Sequence, residues 1–78
     1  MDEQMREIQQ KINDLKLRRA GLVSLLEGIA EQIKQPNRTE EQLVNLLSQL
    51  EQAQQKQIEI RFLIEQCRKE LDDYRENL

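Results

Sequence analysis

Two heptad rows separated by one proline constrain this chain more than any other feature. The first places Met1, Met5, Ile8, Ile12, Leu15, Arg19, Leu22, Leu26, Ile29 and Ile33 at alternating steps of four and three. The second places Leu43, Leu46, Leu50, Ala53, Gln57, Ile60, Ile64, Cys67, Leu71, Tyr74 and Leu78 in the same way. That spacing puts every named residue of a row on one stripe of a helix, the a and d positions of a coiled-coil seam. Each row carries one strongly polar a residue, Arg19 or Gln57, of the kind that fixes register at some cost in stability.

Pro36, the sole proline, falls between the rows. It removes a backbone donor and disfavours helix at Gln35. Asn37 supplies turn chemistry. Thr39 reads as an N-cap with Gln42 completing a capping box, and Glu40 and Glu41 complement the helix dipole. The expected organisation is one domain over 1–78: helix 1 about 2–34, a turn over 35–39 and helix 2 about 40–77. The fold class is all-α, an antiparallel helical hairpin (a two-helix coiled coil). Gly21 and Gly28 lie seven apart in helix 1 and share a face with Ser24. The seam keeps phase across both, so a break there is disfavoured.

Centring the fold on Pro36 makes residue i face residue 72 − i. Met5 then meets Cys67, Ile12 meets Ile60, and Arg19 meets the small Ala53. Residues 72 to 78 overhang the first helix, with Tyr74 and Leu78 continuing the seam beyond it.

A two-helix seam of this size is marginal alone. Val23, Leu25, Ala30, Val44 and Leu47 lie off the seam toward the turn, and Leu17, Ile58, Phe62 and Leu63 nearer the middle. The expectation is a homodimer forming a four-helix bundle, or a partner protein laid on these residues. The expected partner or dimer interface is Leu17, Val23, Leu25, Val44, Leu47, Ile58, Phe62, Leu63, Tyr74 and Leu78. Seam-flanking positions are mostly basic: Lys11, Lys16, Arg18, Lys56, Arg61, Arg68 and Arg75, against Asp2 and Glu70. That bias suits an acidic amphipathic helix as partner, or the acidic outer positions Glu27, Glu51, Glu59 and Glu65 of a second hairpin. Asp2–Arg6, Glu7–Lys11, Asp14–Arg18 and Glu65–Lys69 are spaced for pairing within one helix.

Catalytic chemistry has little to work with. The chain has no histidine and one cysteine, Cys67. It therefore lacks the commonest general base and the thiolates of a zinc site. Neither a cofactor nor a metal is expected. Glu40–Glu41 and Asp72–Asp73 are adjacent on helices and diverge. With a net charge of −3, no global pull toward nucleic acid or an anionic membrane arises. No stretch is apolar enough to span a bilayer. The sequence thus points to a cytoplasmic, non-enzymatic interaction module (in host cytosol if viral), acting as an adaptor, chaperone, inhibitor or other regulator. The alternative is a small dimeric RNA- or DNA-binding regulator using a mid-rod basic band of Lys16, Arg18, Lys56 and Arg61.

Overall fold

The computed structural model describes residues 2–77; Met1 and Leu78, the outermost seam positions expected from the sequence, lie outside the described residues. Two helices form, α1 (Glu3–Lys34) and α2 (Glu40–Glu76), packed along each other into a rod about 60 Å long and 16 by 12 Å across. The fold is the expected all-α hairpin. No helix among the described residues is long and apolar enough to cross a membrane.

The ends are set by local chemistry. Asp2 caps α1, its Oδ1 accepting from the Gln4 amide at 2.8 Å. Thr39 and Gln42 form the full capping box: Thr39 Oγ1 accepts from the Gln42 amide at 3.1 Å, and Gln42 Oε1 from the Thr39 amide at 3.0 Å. Gln35 leaves helical geometry for an extended conformation, as a residue before proline should. Asn37 takes the left-handed conformation, φ 67°, that asparagine tolerates better than most side chains.

Arg38 is a residue the sequence reading passed over. Its Nε donates to the Gln32 carbonyl at 3.1 Å, and its Nη2 to Gln35 Oε1 at 3.2 Å. It reaches back across the turn to satisfy a carbonyl in the last turn of α1, where a cation also meets the negative end of the helix dipole.

Every described seam residue is buried or half-buried, Arg19 and Gln57 included. Ile8, Ile12, Ile29, Leu46, Ala53, Ile64 and Leu71 are the most enclosed. The register differs from the expected one. Leu71 packs with Ile8 and Ile12 in one buried cluster, with Met5 and Cys67 against it. Leu71 opposite Ile8 means that residue i faces residue 79 − i, one heptad beyond 72 − i. Two things move the register in this direction: the turn centres on Asn37, midway between Lys34 and Glu40, and each Cα–Cβ bond leans toward its own helix N-terminus, which in an antiparallel pair brings facing side chains from further along α2. Arg19 accordingly falls opposite Ile60 and not Ala53, and the expected overhang shrinks. Tyr74 is half-buried and donates its hydroxyl to Asp2 Oδ2.

The Tyr74–Asp2 bond ties the open end. The bond from Tyr74, and secondarily that from the Gln4 amide, hold the Asp2 carboxyl below its ordinary 3.8. The same bond, with the carboxylate's charge, pushes the Tyr74 phenol above its ordinary 10.0. A depressed acid pKa gives stability that is present above 3.8 and lost as pH falls through the folded value. A raised phenol pKa gives stability that is present below 10.0 and lost as pH rises through the folded value. Amide exchange in the first turn of α1 should therefore be slowest, relative to the intrinsic rate, between those limits. Asp2→Asn should remove the acid-side loss.

Candidate interaction surface

In an antiparallel pair, the e positions of both helices border one flank of the seam and the g positions border the other. The grooves between the helices bear this out. One is lined by Ile12, Lys16, Arg68, Leu71, Asp72 and Arg75, whose cations all stand at e. Two others carry g residues: Lys11, Arg18 and Leu63 around Leu15 and Cys67 in one, Leu25, Gln49 and Lys56 around Ile29 and Ala53 in the other.

The expected interface residues sort onto these surfaces. Val23 and Leu47 stand at e, and Val44 and Ile58 beside that row at b. Leu25 and Leu63 stand at g on the opposite flank. Leu17 and Phe62, at f, point away from the seam on the backs of the two helices and are 73% and 61% exposed. Ala30 is half-buried at e, toward the turn. The ten residues therefore do not make one surface. Tyr74 is engaged inside the hairpin, and Leu78 lies outside the described residues.

The four cations of the nucleic-acid alternative divide between the flanks: Lys16 lines the e-flank groove and Arg61 stands at an e position, while Arg18 and Lys56 line g-flank grooves. Lys16 instead shares its groove with Arg68 and Arg75. The expected acid-first pairs are not closed either: among the described residues the ion pair within 4.0 Å is Glu31–Lys34, at 3.9 Å and highly exposed. Asp14 accepts from Gln10 Nε2 at 3.1 Å and does not pair with Arg18. Among the described residues no group of three His, Cys, Asp or Glu side chains converges as a metal would need.

No family model, no curated protein and no solved structure matches this chain.

Gly21 and Gly28 lie at c, beside Leu25 on the g flank, within an unbroken α1. A Cβ at either position would meet nothing within 4 Å. Each glycine costs a helix interior about 1 kcal/mol relative to alanine. Gly21→Ala and Gly28→Ala should therefore each raise the stability of a lone hairpin by about that amount. Chemical denaturation at low protein concentration, where any association is dissolved, reads the gain.

Proposed function

We propose that this chain is a non-enzymatic protein–protein interaction module, a small coiled-coil adaptor, chaperone or inhibitor. It self-associates, as an antiparallel four-helix bundle, and binds a partner protein through off-seam apolar side chains. The observation that supports this most is an excess of apolar surface. The seam is filled by the hairpin's own residues, yet Leu17, Val23, Leu25, Val44, Leu47, Ile58, Phe62 and Leu63 remain between 39% and 73% exposed. Single exposed apolar residues are ordinary; a concentration of this size on a rod this small suits further helices packed against it.

The g flank suits a second copy. A twofold interface must be self-complementary. This flank mixes both signs of charge, with Lys11, Arg18 and Lys56 against Asp14, Glu59 and Glu70, around Leu25 and Leu63. Gly21 and Gly28 border it without side chains and allow close approach. Leu25→Glu with Leu63→Glu should convert a dimer into a monomer in sedimentation equilibrium while circular dichroism stays helical. Loss of helix together with mass would instead mean that both leucines serve the hairpin itself. An unchanged mass would remove the second copy from this flank.

A further inference from the structure

Resting on that reading, we infer that the e flank is the docking surface for one kind of partner: an amphipathic helix that is apolar where it lies near the turn and acidic where it lies near the open end. The flank has two unlike halves. Toward the turn it presents Val23, Ala30, Val44 and Leu47, with Val44 and Leu47 more than half exposed. Beyond the middle the same rows become cationic. Lys16 precedes Val23 by one heptad on α1. Arg61, Arg68 and Arg75 follow Leu47 at heptad spacing on α2 after Gln54. Lys16, Arg68 and Arg75 line one groove whose floor is Ile12 and Leu71. Its one acid is Asp72, and none of the four cations closes an ion pair within 4.0 Å among the described residues.

Along its e rows this surface is not self-complementary; the b rows beside them carry Glu27, Glu51 and Glu65 as well as Val44 and Ile58. Two copies stacked turn over turn set the cationic halves against each other. Two copies stacked in opposite directions with full overlap set cations on the valines and leucines. Charge complementarity instead selects an acidic row facing Lys16, Arg61, Arg68 and Arg75, continuous with an apolar stripe facing Val23, Val44 and Leu47. Nucleic acid would satisfy the cations but leave the apolar half uncovered. Leu47 to Arg68 is a little over 30 Å of helix at about 1.5 Å per residue, so a peptide of about 20 residues reaches both halves.

The test uses the folded full chain and designed helical peptides of that length, made in both chain directions. Each carries leucines along one stripe over half its length and, on the same stripe over the other half, either glutamates or glutamines. The glutamate peptide should bind about tenfold more tightly than the glutamine peptide at low salt, the gain expected of several exposed ion pairs acting together. Arg61→Glu with Arg68→Glu should erase or reverse that preference. Val44→Asp with Leu47→Asp should weaken both peptides and leave the mass of the chain in solution unchanged. Equal binding of the two peptides, or binding of neither, overturns the inference. So does a monomer when Val44 and Leu47 are changed, because a second copy then occupies this flank. A single-stranded RNA of about 20 nucleotides that outcompetes the glutamate peptide and ignores the Val44 and Leu47 changes overturns it as well, in favour of a nucleic-acid surface. If the two peptides bind equally while the Leu25 and Leu63 changes still dissolve the dimer, the interaction module stands and this assignment of its partner fails alone.

Discussion

Ile64→Ala is expected to unfold most of the molecule at room temperature. Ile64 is the most enclosed side chain in the rod, 1% exposed, and sits at an a position of α2. Truncating a buried isoleucine to alanine costs about 2–5 kcal/mol through lost transfer energy and the cavity left behind. A two-helix seam in a chain of this size supplies about 3–5 kcal/mol at best. The loss is therefore comparable to the whole, and far-ultraviolet circular dichroism at 25 °C should lose most of its helical signal at low protein concentration. Ile58→Ala makes the control. Ile58 lies six residues away on the same helix but is 57% exposed, and surface changes of this kind stay within about 0.5 kcal/mol. If the two variants melted together, burial along the seam would not be what holds the hairpin.

The second large effect concerns register. Cys67 is half-buried against the Ile8, Ile12 and Leu71 cluster. With residue i facing 79 − i, Ile12→Cys brings a thiol opposite Cys67. The register centred on Pro36 would instead bring Met5→Cys there. Oxidised at low protein concentration, the Ile12→Cys chain should close an intrachain disulfide rapidly, and the Met5→Cys chain more slowly. A crosslink closing a loop of about 55 residues restricts the unfolded chain by about 4 kcal/mol in the entropic account, and the core methyl groups lost from Ile12 are missing from the oxidised and reduced forms alike. The oxidised variant should therefore melt well above its reduced form. Faster closure from position 5 would restore the turn-centred register.

Much of this fold can be read directly from the residue spacing. Steps of four and three place nineteen described residues on two stripes, and each of them is buried or half-buried. Pro36, Asn37, Thr39 and Gln42 carry their turn and cap roles in their chemistry, so the helix ends fall within a residue or two of expectation. Register was less legible, because a one-heptad slip preserves every apolar pairing class. What decides between the two is where the turn centres and how side chains lean along their helices, geometric properties that composition does not carry. Arg38 was missed for a related reason. Its partner, the Gln32 carbonyl, is a backbone atom six residues away that becomes reachable only when the turn closes.

The candidate surface was legible residue by residue but not as a surface. The basic bias at e and g positions is plain in the sequence. Pooling e with g hides that the two classes face opposite sides of an antiparallel pair. Lys16 and Arg18 are two residues apart in sequence and stand on different flanks, whereas Lys16, Arg68 and Arg75 share one groove across the rod. The same sorting separates Leu47 from Leu63 and sets Leu17 and Phe62 on the backs of the helices.

Sedimentation equilibrium of the unaltered chain at micromolar concentration bears most directly on the claim that this hairpin exposes apolar surface for other helices to cover. The account predicts twice the chain mass of 9.4 kDa, with the Leu25→Glu and Leu63→Glu chain falling to the single mass. A single species at 9.4 kDa for the unaltered chain, helical and unchanged across the concentration range, would contradict it.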